Sequence, residues 1–249
     1  MRVRADNPSP MTLEGTNTFV LHSADGASAL LIDPGPELPA HRAAFLAAVD
    51  DRELVGIVLT HRHADHSEAL ATADEWAPGV PVHAVLPEFA CRADTLVDGQ
   101  RIRFGASAAD EVEIIATPGH TSDSISVLHG RTLYSGDTVL GRGTTVVTHP
   151  EGSIADYLAS IERLQGFVAQ GRIEVIEPAH GPVVEDPGAV LAHYLQHRRE
   201  RLEQVQAAVD AGADTPAQVA DVVYAEVLAN LRGAVEQIVA AQLEYLRRG

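Results

Sequence analysis

The amino-acid sequence predicts an α/β fold with two sheets and outer helices over residues 1–186, followed by a smaller helical module over residues 187–249. In the first part, short apolar runs alternate with segments of helical periodicity, which is the pattern of strands connected by helices. In the second part, apolar residues recur at helical spacings and no strand-like run interrupts them. The change of pattern near residue 187 therefore predicts two structural units.

The predicted strands lie in the first part. A hairpin comes first, because two β-rich runs, Thr16 to Leu21 and Ala29 to Ile32, flank a turn at residues 24–26. The next run, Leu54 to Leu59, is continuously apolar, as expected for a strand that is buried on both faces. Four further strands are predicted at residues 112–116, 125–128, 131–134 and 173–176.

The predicted helices lie in both parts. In the first part they cover residues 37–49 and 154–167. Pro187 opens a long helix in the second part, and after a break Thr215 matches an N-cap with Pro216 at the first helical position. The final helix has apolar residues at helical spacing, namely Leu228, Leu231, Val235, Ile238 and Leu246.

Composition and charge exclude several classes of protein. Apolar residues make up 45% of the 249 residues, which is enough for a core and excludes a disordered chain. The apolar runs are far shorter than the ~20 residues of a membrane span. The N-terminus lacks the apolar centre of a signal peptide, so we expect a cytoplasmic protein with no membrane partner. The net charge of −17 excludes general attraction to polyanions, so a nucleic-acid substrate would require local basic contacts.

Side chains that bind metals follow four of the predicted strands. The segment Thr60-His61-Arg62-His63-Ala64-Asp65-His66 comes directly after the strand that ends at Leu59. One donor follows each of three later strands. Imidazole and carboxylate are ligands of zinc and iron, and the chain has a single thiol. We therefore predict that seven donors meet at one edge of the fold: His61, His63, Asp65, His66, His120, Asp137 and His180.

Seven donors are too many for one tetrahedral ion and predict a pair of ions. His61 and His63 are two residues apart in an extended turn, so they can face the same ion. Asp65 and His66 lie beyond them and can face the second ion, and the two oxygens of Asp137 can bridge both. Two ions ~3.5–4 Å apart would hold a shared hydroxide as the nucleophile and stabilise the developing oxyanion. A structural site is disfavoured because such sites are usually closed sets of four ligands.

The order His-x-His-x-Asp-His, Gly-His, Gly-Asp and a Gly-flanked His resembles the metallo-β-lactamase superfamily. The resemblance implies an αβ/βα sandwich with a dinuclear site along one edge of its two sheets. It also implies a division of ligands, with His61, His63 and His120 on the first metal, Asp65, His66 and His180 on the second, and Asp137 as the bridge. Asp65 would in addition orient the hydroxide. The expected cofactor is two Zn²⁺ ions, with Mn or Fe as alternatives.

Further segments resemble one branch of that superfamily, the β-lactamase-like protein two branch. They are Asn7-Pro8-Ser9-Pro10, Glu14-Gly15-Thr16-Asn17-Thr18, Leu31-Ile32-Asp33-Pro34-Gly35, Gly141-Arg142-Gly143-Thr144-Thr145-Val146 and His197-Arg198-x-x-Arg201. The resemblance implies a winged-helix-like form for the C-terminal module, residues 187–249. The branch includes a zinc-dependent endoribonuclease that acts on single-stranded RNA and fungal thioesterases that release polyketides.

These observations predict a dinuclear metal-dependent hydrolase of an ester-like substrate, with the RNA phosphodiester as the first candidate. Hydrolysis of an acyl-thioester or a lactone at the same site remains open, so the partner is either single-stranded RNA or a small ester or thioester. An iron-dependent oxidoreductase is the alternative from another class, and metal analysis discriminates it. A binding protein with an inert site is disfavoured by the intact set of donors.

Six further residues are candidates for substrate binding. Arg142, Thr144 and Thr145 follow Asp137 closely and could face the metals, or else form a Gly-rich surface turn. The start of the long C-terminal helix could present three others to phosphate, or else use them on a solvated face and in core packing: Tyr194, His197 and Arg198. The sequence has no signature of self-association, and a homodimer remains an open alternative.

Overall fold

The computed structural model describes residues 1–226 and 231–248, and within these residues two five-stranded sheets are formed. The first sheet has the order β1-β2-β3-β4-β5, with β1 (Arg2–Arg4), β2 (Asn17–His22), β3 (Ser28–Ile32), β4 (Glu53–Val58) and β5 (Val82–His83). The second has the order β10-β9-β8-β7-β6, with β6 (Arg101–Arg103), β7 (Glu111–Ala116), β8 (Ile125–His129), β9 (Thr132–Tyr134) and β10 (Val175–Glu177).

The α-helices of the described residues lie outside the sheets and in the C-terminal part. They are α1 (Pro39–Val49), α2 (Ala64–Ser67), α3 (Ala73–Trp76), α4 (Ile154–Ala169), α5 (Pro187–Asp210), α6 (Pro216–Val223) and α7 (Arg232–Arg248). A 3₁₀ segment, Glu68–Thr72, connects α2 to α3. The described helices include none that is long and apolar enough to cross a membrane.

Alternation along the strands divides the apolar residues between layers. In β2, Phe19 and Leu21 face the second sheet, while Val20 faces α1 on the other side. In β3, Leu30 and Ile32 likewise belong to the cluster between the sheets. A further cluster joins the second sheet to α4 and α5. The layers therefore follow in the order helix, sheet, sheet, helix, and the predicted α/β sandwich is confirmed.

The direction of the strands places the ends that precede the predicted metal donors at one edge of each sheet. In the first sheet, β3 and β4 run parallel to each other. In the second sheet, β7 and β9 are both antiparallel to β8, and β10 is parallel to β9. The carboxyl ends of β7, β9 and β10 therefore lie at the same edge. An isolated bridge between Thr16 and His180 connects this edge to the start of β2.

The C-terminal part is helical, as the sequence predicts. Thr215 caps α6 by accepting a hydrogen bond from the backbone N–H of Gln218, and Pro216 is the first helical residue. Between residues 187 and 248, none of the described residues forms a strand, so the described part shows helices without a wing. Leu228, predicted to lie in the final helix, falls outside the described residues. The boundary at residues 186 and 187 stays a prediction.

Three strands are absent from the sequence prediction, namely β1, β5 and β6, which have only two or three residues each. Such short strands contain too few alternating positions for a pattern to be recognised. The last strand of the second sheet is also shifted. The prediction begins it at Ile173, whereas β10 begins at Val175, where its pairing with Thr132 of β9 starts.

Candidate metal centre

The structure brings all seven predicted metal donors together beyond the ends of β4, β7, β9 and β10. Asp65 and His66 are displaced from His61 because the short helix α2 begins at Ala64. The donor atoms form three overlapping groups, each with its atoms within 4.8 Å of one another: His61, His63 and His120; His61, His66 and Asp137; and Asp65, His66 and His180. The first and third groups match the two ligand sets that the resemblance implies, and the group of His61, His66 and Asp137 joins them.

Three imidazole nitrogens point at one another in the first group. Nδ1 of His63 lies 3.0 Å from Nε2 of His61 and 3.0 Å from Nε2 of His120. The outer nitrogen of each ring faces an oxygen, namely Thr60 Oγ1 for His61 at 3.2 Å, Glu151 Oε2 for His63 at 3.3 Å and the Val146 carbonyl for His120 at 2.7 Å. In the neutral rings these oxygens assign the proton to the outer nitrogen, so three lone pairs converge. Converging lone pairs repel one another unless a cation lies between them.

The third group, Asp65, His66 and His180, surrounds the carboxylate of Asp137. Nε2 of His180 lies 3.2 Å from Oδ2 of Asp65 and 3.2 Å from Oδ1 of Asp137. Nε2 of His66 lies 3.5 Å from the same two oxygens. The other oxygen of Asp137 lies 3.7 Å from Nε2 of His120 in the first group. Asp137 thus faces both groups, as a bridging carboxylate would.

The donor spacing suits a pair of small cations. Donors around a tetrahedral ion with bonds of 2.0–2.2 Å are ~3.4 Å apart, which matches the spacing in both groups. Nε2 of His66 and Oδ1 of Asp137 are buried and have no hydrogen-bond partner among the described residues. Buried polar atoms without partners are costly, and a cation would satisfy both of them. The residues present therefore fit two metal ions.

Asp33 supports the centre through hydrogen bonds to His66 and Thr60, although the sequence did not predict it as a site residue. Its carboxylate accepts hydrogen bonds from His66 Nδ1 at 2.8 Å and from the Thr60 backbone N–H and hydroxyl at 2.7 Å each. Because the Thr60 hydroxyl donates to Asp33, it accepts from the Nδ1–H of His61. One buried carboxylate therefore orients an imidazole in each part of the centre. Its place directly after β3, at the same edge as His61, is the signal that could have identified it.

Glycine permits the close approach that positions His120. Gly119 has φ +136°, and a Cβ there would lie 2.4 Å from the backbone of Tyr157 on α4. The loop after β7 therefore passes directly over the start of α4. The backbone N–H of Ser153, the N-cap of α4, donates to the Gly119 carbonyl at 2.9 Å. The position of His120 thus depends on a contact that admits no side chain at residue 119.

Opposite charges set the pKa values of the centre when no cation is bound. Burial opposes protonation of His180, but the carboxylates of Asp137 and Asp65 outweigh it and raise the pKa to about 9. The pKa of His66 is likewise raised above 6.5, since Asp137 and Asp33 outweigh burial. Burial and the neighbouring imidazoles lower the pKa of His61. Without a cation, protons on His66 and His180 therefore balance the carboxylates.

The rim of the centre is formed by two polar segments. On one side the Thr16 hydroxyl lies 3.4 Å from Oδ2 of Asp65, so the N-terminal loop borders the centre. On the other side, Glu151 is exposed next to His63 and lies 4.0 Å from Arg62. The helix α7 reaches this second segment, because the His149 backbone N–H donates to the Gln237 carbonyl at 3.1 Å.

Three of the six predicted substrate-binding residues are buried, so the prediction is wrong for them. Tyr194 is only 1% exposed, and its hydroxyl accepts from the Leu140 backbone N–H at 2.9 Å. Arg198 is buried against the Tyr157 ring and donates to the Thr145 carbonyl. Thr145 is buried and donates to the Asp137 carbonyl at 2.8 Å. These groups hold the loop after Asp137 in place and cannot reach a substrate.

The other three predicted substrate residues are accessible to different degrees. Thr144 and His197 are half-buried. The side chain of Arg142 is exposed and forms an ion pair of 2.7 Å with Glu14 on the N-terminal loop. Of the six candidates, Arg142 is the one with an exposed side chain.

Comparison with known proteins identifies the family. The family model of the metallo-beta-lactamase superfamily matches residues 11–180, which include every donor of the centre. The chain belongs to the metallo-β-lactamase superfamily. A beta-lactamase-like protein 2 homolog from Drosophila melanogaster is 30% identical over 229 residues, which are 82% of this chain and 72% of that protein.

Two other proteins extend the comparison. An atrochrysone carboxyl ACP thioesterase from Aspergillus chevalieri is 29% identical over 96% of this chain and 75% of its own length. A solved metallo-beta-lactamase family protein from Thermus thermophilus aligns with a TM-score of 0.80 at 20% identity, over 100% of this chain and 93% of that one. The last likeness confirms the fold over the whole chain, including the helical C-terminal segment.

Proposed function

We propose that this member of the metallo-β-lactamase superfamily is a two-metal hydrolase that cleaves thioesters. The convergence of seven donors supports it, above all the three imidazole lone pairs around His63 Nδ1. The proposed ligands are His61, His63 and His120 for one cation and Asp65, His66 and His180 for the other, with Asp137 between them. Cations held in this way act as Lewis acids and lower the pKa of bound water.

Asp65 is the proposed catalytic residue. It is half-buried at the rim, where the Thr16 hydroxyl donates a hydrogen bond of 3.4 Å to its Oδ2. Burial raises the pKa of its carboxyl, but His180 and His66 outweigh this and lower it overall, so the group is ionised at neutral pH. The ionised carboxylate can accept a proton from the attacking water, and the sulfur leaves as a thiolate or takes up that proton.

Several observations support a thioester rather than RNA, the first candidate from the sequence. The net charge of −17 opposes binding of a polyanion, because nucleic-acid affinity depends on neutralised phosphates. Tyr194 and Arg198, which the sequence offered as phosphate contacts, are buried. The relative that aligns with 96% of this chain is named a thioesterase. RNA cleavage remains the second candidate, since the Drosophila relative belongs to the branch for which the resemblance implies that activity.

Zinc is the proposed metal, because imidazole and carboxylate without thiolate suit it and a hydrolase needs no redox change. Iron would suit the same donors. Elemental analysis of untagged protein distinguishes the two metals. Stoichiometric iron together with oxygen consumption would support an oxidoreductase instead of a hydrolase.

The function is tested with zinc-loaded protein on a panel of an acyl-thioester, a lactone and labelled single-stranded RNA. We expect thioester hydrolysis that Asp65→Asn reduces by at least about a hundredfold, as the loss of a proton acceptor does. Asp94→Asn, which makes the same change on the exposed surface, serves as the control. Cleavage of RNA but not of thioester would overturn the proposed substrate, and no hydrolysis of any of the three would overturn the proposed reaction.

A further inference from the structure

A polar cavity of about 540 Å³ lies beside the candidate metal centre. Three arginines line it, namely Arg2 and Arg4 on the edge strand β1 and Arg142 on the loop after Asp137. Glu14 and Asn17 complete its polar wall. The chain has 18 arginines and lysines against 35 acidic residues, so three cations around one cavity depart from the general charge of the surface.

The cavity shares a wall with the loop that carries His180. The Asn17 side chain donates to the carbonyls of Pro178 at 3.0 Å and Gly181 at 3.3 Å, and its backbone N–H donates to Ala179 at 2.7 Å. The loop of Arg142 is fixed to the same segment, because the Gly141 N–H donates to the His180 carbonyl at 2.9 Å. A group bound in this cavity therefore contacts the loops that position both His180 and Asp137.

The arginines of the cavity are available to an incoming anion. Arg4 forms no ion pair with any of the described residues. Arg2 lies 3.6 Å from Glu177, a long contact. Arg142 pairs with Glu14 at 2.7 Å, but the two side chains are 61% and 41% exposed, and an exposed pair contributes little net stability. An anion can take the place of the Glu14 carboxylate without disrupting the fold.

We propose that this cavity binds the phosphate group of a phosphopantetheine-type thioester while the thioester lies at the metal centre; this rests on the proposed function. A guanidinium presents its N–H donors as a planar fork that matches two phosphate oxygens. Guanidinium groups on β1 and on the loop after Asp137 approach the cavity from separate elements, which suits the several oxygens of one phosphate. The cavity is thus a specificity subsite.

A small phosphate ester suits the cavity better than RNA does. RNA carries one charge per nucleotide and requires a track of cations, whereas this cluster is local and the chain as a whole carries −17. A carrier with one phosphate needs only one such site. The cavity therefore favours a thioester of a phosphorylated thiol.

The test compares two substrates that differ only in the phosphate, acetyl-phosphopantetheine and acetyl-pantetheine, on the zinc-loaded full chain. We expect wild-type protein to prefer the phosphorylated substrate in kcat/KM, and R142Q to reduce that preference by about tenfold. E14Q removes the competing carboxylate and should increase the preference. R103Q makes the same charge change on the exposed strand β6 and is the control, which should leave the preference unchanged.

Opposite effects of R142Q and E14Q support the subsite, because a merely structural ion pair would respond in the same direction to both changes. An equal preference in wild-type, R142Q and R103Q protein would overturn it. If neither thioester is hydrolysed, the proposed function fails, and the subsite is then tested by calorimetric titration with inorganic phosphate. Equal phosphate affinity in R142Q and R103Q would overturn the subsite, as would an R142Q effect confined to RNA cleavage.

Discussion

The Nδ1 atom of His66 lies 2.8 Å from Oδ2 of Asp33, and both side chains are buried. The same carboxylate accepts two hydrogen bonds from Thr60, whose hydroxyl in turn fixes the ring of His61. Asp33 has φ +51°, a conformation that costs free energy in a non-glycine residue. The backbone is therefore held in an unfavourable conformation that points one carboxylate at two donor-bearing segments.

We expect Asp33→Asn to lower metal affinity by roughly 10–100-fold, because an amide cannot accept all three hydrogen bonds. Competition with a chromogenic chelator measures this. Asp50 also has a positive φ, +61°, but it is exposed at the end of α1. Asp50→Asn is therefore the matched control, and equal metal affinity in the two variants would show that Asp33 does not support the centre.

Metal binding should release protons and weaken as the pH falls. The pKa of His180 is raised to about 9, since Asp137 and Asp65 outweigh burial, and that of His66 is raised in the same direction. The His180 ring is therefore protonated in the metal-free protein at pH 7 and must lose a proton to bind a cation. Calorimetry in buffers of different ionisation enthalpy should therefore detect a net release of protons at pH 7. Binding without proton release would contradict this assignment.

The metal-free protein should show the opposite dependence of stability on pH. A group whose pKa is raised on folding stabilises the folded state below its unfolded pKa, and this stabilisation is lost as the pH rises through the folded pKa. For His180 the range runs from about 6.5 to about 9. Chelator-treated protein should therefore unfold at a lower denaturant concentration at pH 9.5 than at pH 6. A His180→Gln variant should lose part of that difference, and an unaltered difference would contradict the explanation.

The hydroxyl of Tyr194 should stabilise the fold without affecting the substrate. It accepts from the Leu140 backbone N–H and is buried, so Tyr194→Phe should cost about 1–2 kcal/mol in the free energy of unfolding with KM unchanged. Tyr245→Phe is the control, because that hydroxyl forms no hydrogen bond with the described residues. A raised KM in Tyr194→Phe at unaltered stability would restore the substrate role that the sequence suggested.

Gly119→Ala should displace His120 and remove metal from the centre. The added Cβ would lie 2.4 Å from the Tyr157 backbone, at φ +136°, so the loop has to move. Gly130 also has a positive φ, +59°, but a Cβ there would have no neighbour within 4 Å. Gly130→Ala is therefore the control for backbone strain alone. The metal content of each variant is measured after dialysis, and we expect a loss in Gly119→Ala but not in Gly130→Ala. Full metal occupancy in Gly119→Ala would show that the close approach does not position His120.

Local patterns in the sequence predict the donors of the centre, because each follows a run that is strand-like by itself. His61 follows a continuously apolar strand, and His180 follows one that is recognisable despite a shift of two residues at its start. The supporting contacts are not predictable in this way. Asp33 and Thr60 are close only after β3 and β4 pair, and nothing in the local sequence of either residue indicates the other.

The same reason explains the errors at the start of the C-terminal helix. Tyr194 and Arg198 lie on one face of α5 at a spacing of four, which the sequence cannot assign to solvent or to the core. The structure places that face against α4 and the loop after Asp137, where both polar groups bond to backbone atoms of that loop. Polar side chains of this kind are recognised as internal only when their backbone partners are known.

The stoichiometry of metal binding tests the central claim most directly. Elemental analysis of untagged protein, together with Asp137→Ala, measures how many ions the seven donors hold. The proposed ligand sets predict two ions per chain in the wild-type protein and a loss of at least one in the variant, since Asp137 faces both groups. One ion or none in the wild-type protein, or two in Asp137→Ala, would contradict the dinuclear centre.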